Sequence, residues 1–312
     1  MKTDAVMPAD LTRSVISVPP MAWDKSGKVS TAENRKIVHH MATGGVTTFL
    51  YGGNANFYHL GVDQYVDVVD MLLAIAPDDA WMIPSIGADF GKAMDQVGVL
   101  RSFSFPTAMA LPMAGPTKPA GVATGLRRLA DKFGRPVIAY IRAENYLAPR
   151  DAAALLADGA VCSIKYAVER KNPADDAYLA ALVQATGTER MASGIGERPA
   201  IVHWTKFGIR AFTSGSVSIA PHLSMAVLRS LQAGDVATAE RVRETFLPFE
   251  DQRDAYSPIV VLHEAVRLAG IADTGPIQPM LAGLDEAQLR PVGEAAKALL
   301  EENTRYVRRQ AA

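Results

Sequence analysis

A single cysteine, Cys162, stands in 312 residues. No disulfide can close within the chain, and no cysteine-based metal site can be built from it. A reducing cytoplasm suits such a chain. Charge of one sign is also missing. The 32 basic and 33 acidic residues leave a net charge of −1, so neither nucleic acid nor an anionic membrane is an expected partner. The basic tail (Arg305, Arg308, Arg309) reads as the last turn of a helix, where cations suit the dipole. No apolar run approaches the roughly 18 residues of a membrane span. Met1–Ser14 carries Asp4, Asp10 and Arg13 but no apolar centre, which argues against a secretory signal.

Familiar motifs are absent too. There is no GxGxxG after the first strand, no phosphate-binding P-loop and no nucleophile elbow. The lone Gly-x-Gly at Gly194–Gly196 is a weak phosphate signal. The histidines do not fall in ligand spacing: His39 and His40 are adjacent on a helix, and His203 and His263 read as helix-face residues. No metal and no cofactor is therefore expected. His59 and His222, near loop ends, are candidates for substrate contacts.

What the chain does have is alternation. Short apolar runs at Val15–Val18, Val46–Tyr51, Trp81–Ile86, Thr107–Leu111, Val137–Ile141, Ala160–Tyr166, Arg190–Ser193 and Ile209–Thr213 read as strands. Between them lie helical stretches: Ser30 or Thr31 to Thr43, Val62–Ile75, Gly91–Arg101, a helix ending near Gly134, Pro149–Ala157, Pro173–Thr186 and Pro199–Phe207, with another beginning near Ala220. Eight strand–helix units in about 230 residues argue for an α/β fold closed into a (β/α)8 TIM barrel. The remainder predicts three more helices at about Asp235–Phe246, Pro258–Leu268 and Glu286–Tyr306. No Gly-, Ser- or Pro-rich linker sets them apart. The expected division is a barrel over 1–232 and a helical extension, 233–312, packed on it.

In such a barrel the chemistry sits at the C-terminal ends of the strands. Two reactive side chains fall there, Tyr140 ending the fifth strand and Lys165 ending the sixth. Lys165 closes a run that a buried strand would normally keep free of charge, because desolvating an ammonium is costly. A lysine in a desolvated barrel mouth loses part of its preference for the charged form. Its neutral amine attacks a ketone or aldehyde, giving a carbinolamine and then a Schiff base. The protonated imine is an electron sink for aldol addition, retro-aldol cleavage or dehydration of a 2-keto acid. A tyrosine hydroxyl close by can shuttle the protons if neighbours bring its pKa down. Consecutive backbone N–H groups can hold the carboxylate, and Gly52, Gly53 and Asn54 supply such a turn. With Ser214 on the eighth strand they are the expected substrate-binding positions.

The chain resembles the dihydrodipicolinate synthase / N-acetylneuraminate lyase family of class I, Schiff-base-forming enzymes. The resemblance spans nearly the whole chain. Its specific part is Pro136-Val137-Ile138-Ala139-Tyr140 and Ser163-Ile164-Lys165. Gly44-Gly45-Val46 through Gly52, Gly87-Ala88-Asp89, Ser193-Gly194 and Ser257-Pro258-Ile259 also resemble family segments. The resemblance implies a barrel plus three helices, commonly a homotetramer. It implies Lys165 as the Schiff-base lysine, Tyr140 as proton shuttle and the Gly52–Asn56 loop as the holder of a keto-acid carboxylate.

The departures are equally specific. Where the family loop reads Gly-Thr-Thr/Ser-Gly-Glu, this chain has Gly52-Gly53-Asn54-Ala55-Asn56. The threonine that relays protons in the synthase is replaced by Gly53. Its tyrosine after the fourth strand falls near Met113-Ala114 and is absent. Its arginine falls near Asn145, with Arg142 close by but not at the matching position. The expected function is an aldolase or dehydratase acting on pyruvate or another 2-keto acid. The alternatives are a small-molecule-binding barrel without turnover, a lysine-pathway synthase with a rebuilt relay, and a barrel enzyme with unrelated chemistry.

Overall fold

A computed structural model describes residues 1–311. A short helix, α1 (Pro8–Thr12), precedes β1 (Ile16–Ser17), α2 (Thr31–Thr43) and β2 (Thr48–Tyr51). The alternation continues through α3 (Val62–Ile75), β3 (Trp81–Ile86), α4 (Phe90–Leu100), β4 (Met109–Ala110), α5 (Pro119–Phe133) and β5 (Val137–Ile141). It ends with α6 (Pro149–Ala157), β6 (Val161–Tyr166), α7 (Ala177–Thr186), β7 (Met191–Ser193), α8 (Glu197–Phe207) and β8 (Thr213–Ser214). The strands are parallel, in the order β7-β6-β5-β4-β3-β2-β1-β8. A bridge between Ser193 and Phe212 joins the two ends. This is the TIM barrel expected.

Local chemistry explains most boundaries. Ser30 caps α2 by accepting from the Glu33 N–H, a bond worth about 1 kcal/mol. Several expected boundaries of the barrel move, and two starts shift furthest. The helix expected from Pro173 starts at Ala177, because Asn172–Asp175 form a turn and Asp176 is the cap, accepting from the Leu179 N–H at 2.9 Å. The last strand, expected over Ile209–Thr213, is Thr213–Ser214. Its ladder partner β1 is only two residues long and reaches no further back than Ile16–Thr213.

The C-terminal part holds the three helices expected, α10 (Val236–Glu244), α12 (Pro258–Leu268) and α13 (Glu286–Ala311), following α9 (Pro221–Gln232). It also holds one more, α11 (Leu247–Ala255), started by Pro248 in its first turn. One continuous apolar core runs from the strands into these helices, through Phe246, Phe249, Val261, Leu262 and Leu299. No helix among the described residues is long and apolar enough to cross a membrane.

Candidate active site

β5 and β6 set the centre of the site. Tyr140 and Lys165 are register partners across these two strands, so their side chains leave the sheet on the same face. That face is the barrel interior, and the neighbour Tyr166 shows why. Tyr166 points the other way, packs against Tyr178 and His203, and donates its hydroxyl to Asp176 at 2.6 Å. Asp176 is held in turn by Arg170 at 3.1 Å, and Arg170 also donates to Glu144 at 2.9 Å. With Tyr166 fixed among the helices, period-two alternation turns Lys165 inward.

Lys165 is 5 % exposed and Tyr140 9 %. The Lys165 Nζ lies 4.2 Å from the centre of the Tyr140 ring, over its negative face. Gly194 on the other side lets β6 approach closely. A Cβ there would lie 2.8 Å from the Tyr166 carbonyl oxygen and 3.1 Å from Lys165 Cε. Burial, aided by the Arg142 and Arg253 charges, lowers the Lys165 pKa to about 7. About half of the amine is therefore neutral at neutral pH. The tyrosine behaves oppositely. Burial and the neighbouring Tyr58 raise the Tyr140 pKa, Arg142 opposes them, and Glu169 adds to the rise. Tyr140 thus keeps its proton at neutral pH and is a donor first. The condition set for a shuttle, that neighbours bring this pKa down, is not met, because the desolvation of a buried phenol outweighs one guanidinium.

These two residues open into a cavity of about 700 Å³ at the C-terminal end of the barrel. Gly53 and Asn54 line it as expected. Gly52 and Ser214 do not. Gly52 is packed beneath, where a Cβ would meet Met109 Cε at 2.7 Å and Ser85 Oγ at 2.9 Å. Ser214 is buried behind the wall, its hydroxyl accepting from the Val217 N–H at 2.9 Å. The Asn54 side chain donates to the Val18 carbonyl at 2.7 Å, so its amide braces the loop against β1. The backbone N–H groups of Gly53, Asn54 and Ala55 have no acceptor among the described residues. His59 and His222 do not line the cavity, whereas His203 does. His203 hydrogen-bonds Ser193 at 2.8 Å, and burial lowers its pKa to about 4. No group of three or more His, Cys, Asp or Glu able to hold a metal occurs among the described residues.

Several lining residues escape sequence reasoning. Tyr58 stands in the 3₁₀ turn Phe57–His59 after β2 and lines the cavity, as does Arg142 just past β5, which the sequence had already placed close to the family's arginine position. Glu250 and Arg253, from α11, form a buried pair at 3.1 Å that closes another wall. Ser216 donates to the same Glu250 oxygen. Behind them Glu197 is buried and accepts from Ser224 at 2.5 Å. Burial and the Glu250 charge raise its pKa to about 7. The i,i+3 spacing of Glu250 and Arg253 on a short helix was the available signal; nothing in the local sequence aims Tyr58 at the barrel.

A model of the dihydrodipicolinate synthetase family matches residues 11–299. The chain belongs to that family. That family is one of aldolases and lyases that act on small molecules. A probable 5-dehydro-4-deoxyglucarate dehydratase of Streptomyces coelicolor is 22 % identical over 284 residues, covering 89 % of this chain and 87 % of that protein. Dihydrodipicolinate synthase from Bacillus clausii superposes with a TM-score of 0.80 at 20 % identity, covering 93 % of this chain and 98 % of that one. Sialic acid aldolase from Ruminococcus gnavus gives 0.81 at 13 % identity, covering 94 % and 99 %. At these identities the superpositions speak for the family's barrel alone.

Proposed function

We propose that this protein is a Schiff-base-forming carbon–carbon or carbon–oxygen lyase, an aldolase or dehydratase acting on pyruvate or another 2-keto acid. The carrying observation is the buried, partly neutral Lys165 amine facing the Tyr140 ring in a cavity bordered by the Arg142 guanidinium and by backbone N–H groups. Lys165 attacks the keto carbon and Tyr140 gives its proton to the departing carbinolamine hydroxyl. The Gly53–Ala55 N–H groups hold the carboxylate. Arg142, which has no carboxylate partner among the described residues, adds positive charge for an acidic substrate.

Between aldol and dehydration chemistry, the Streptomyces relative named as a dehydratase of a keto-deoxy sugar diacid supports dehydration. The absence of a threonine at Gly53 and of a tyrosine at Met113-Ala114 argues against the lysine-pathway condensation. The reading includes a homo-oligomer, on the family resemblance, and a cytoplasmic setting, which one buried cysteine suits.

The test is reductive trapping. The protein is mixed with a panel of 2-keto acids, reduced with borohydride and mapped by mass spectrometry. An adduct on Lys165 is expected. No adduct with any keto acid would overturn the proposal, and a rise in melting temperature without an adduct would point to the binding-barrel alternative.

A further inference from the structure

Four arginines line the cavity, Arg142, Arg170, Arg198 and Arg253. Arg170 is engaged by Glu144 and Asp176, and Arg198 by Asp251 and Asp254. Arg253, from α11, is the buried one of the four, 8 % exposed. Its guanidinium is braced on two sides. Nη1 donates to both Glu250 oxygens, at 3.1 and 3.4 Å, and Nε donates to the Pro258 carbonyl at 3.3 Å. Glu250 is held in turn by the Ser216 hydroxyl. Nη2 has no acceptor among the described residues. Because the fork is planar and rigid, fixing Nη1 and Nε also fixes the direction of Nη2.

A glycine shows where that direction leads. A Cβ built on Gly215, just past β8, would lie 3.0 Å from Arg253 Nη2 and 2.7 Å from the Asn54 amide nitrogen. The two tips converge over Gly215, and all three residues line the cavity. The Asn54 amide already donates to the Val18 carbonyl. Arg253 therefore brings a positive, unpartnered donor beside the turn that carries the Gly53–Ala55 N–H groups. Its charge also reaches the nucleophile, since it helps to lower the Lys165 pKa. An anion seated at Nη2 lies next to the turn and within electrostatic reach of the amine.

We infer that Arg253 binds the carboxylate of the 2-keto acid, so that a helix of the C-terminal extension, and not the barrel alone, makes the site select an acid. The inference rests on the function proposed above and adds a charged side chain to the backbone N–H groups named there. Nη2 gives the carboxylate a charge-assisted hydrogen bond while Glu250 keeps Nη1. The keto carbon next to an anchored carboxylate is then the group that the Lys165 amine meets.

The test compares pyruvate with hydroxyacetone, a ketone of similar size without charge. For each, two quantities are measured: the concentration giving half-maximal cyanoborohydride trapping at Lys165, and the rise in melting temperature at one fixed concentration. Removing Arg253 alone would strand a buried Glu250, so the pair is removed together as Glu250→Gln with Arg253→Met. This variant is expected to need about tenfold more pyruvate or higher, and to lose most of the pyruvate-dependent rise in melting temperature, while its requirement for hydroxyacetone stays within about twofold. Arg253→Lys, which keeps the buried ion pair but not the fork, is expected to fall between this variant and wild type. An unchanged requirement for pyruvate in the two variants overturns the inference. So does an equal rise for both ketones, which makes the pair merely structural. So does a loss seen with 2-oxoglutarate but not with pyruvate, which moves Arg253 to the far end of the substrate. A wild-type protein that traps neither ketone overturns the imine reading, and the melting contrast between the two ketones still decides the role of Arg253.

Discussion

The two walls of the cavity are built by different rules. On one, Tyr140 and Lys165 share a rung of the β5–β6 ladder, and hydrogen bonds far from either side chain fix their separation. On the other, the chain has left β2 and must hold its own shape. It does so with the Asn54 amide on the Val18 carbonyl and the Tyr58 ring over Gly53. A ladder leaves its side chains free for chemistry; a loop uses some of its polar groups on itself. On the function proposed above, recognition therefore falls to the loop's backbone N–H groups and to Arg142 just past β5.

The comparison can be broken most directly at the ladder. Lys165→Ala should reduce turnover by roughly 10⁴-fold or more and remove the trapped adduct; full activity would sink the lysine's role. Tyr140→Phe should cost about 10²–10⁴-fold in kcat and leave slow imine trapping detectable, since the nucleophile remains. The third prediction concerns pH. With the Lys165 pKa lowered to about 7, the amine is mostly neutral above that value and mostly protonated below it. The initial rate of cyanoborohydride trapping with pyruvate should fall about tenfold from pH 8 to pH 6. A flat profile would mean that the buried amine is not what titrates.

Smaller effects sharpen the contrast. Gly194→Ala puts a methyl group 2.8 Å from the Tyr166 carbonyl. This overpacking should cost about 1–3 kcal/mol in urea unfolding, with loss of trapping as Lys165 Cε is displaced. Asn54→Ala should cost only about 1 kcal/mol of stability, one half-buried hydrogen bond, and leave KM for the keto acid within about twofold. A large KM increase would show that the amide recognises substrate after all.

The ladder wall was legible in the sequence; of the loop wall only the Gly53–Asn54 turn was. The bounds expected for β3 and β5 match the structure, because apolar-rich runs flanked by Gly, Pro and charge leave a strand little choice. Lys165 was conspicuous as a charge closing such a run. Tyr58 was silent, because a turn gains its direction from distant residues: Tyr65 packs on the neighbouring Phe57, and Lys92 holds the Tyr58 carbonyl. Ser214 and Gly52 sit on the correct strand ends but behind the wall, since position along a strand does not say which face a residue serves. α11 has no counterpart among the expected helices: its short, polar Leu247–Ala255 segment carries little periodic signal and is made helical by Pro248 and burial of Phe249. With it the Glu250–Arg253 pair was missed.

One consequence of the shared rung concerns the quality of the folded material. A one-residue slip of β6 against β5 would exchange its two faces, sending Lys165 outward among the helices and Tyr166 into the barrel. Such a population would keep its overall helix and strand content and would pass unnoticed in far-ultraviolet circular dichroism. It would present Lys165 to a bulky amine-reactive label that the correctly paired barrel shields. Stoichiometric labelling of that single lysine, read peptide by peptide, is thus a counter of misaligned molecules in any refolded preparation.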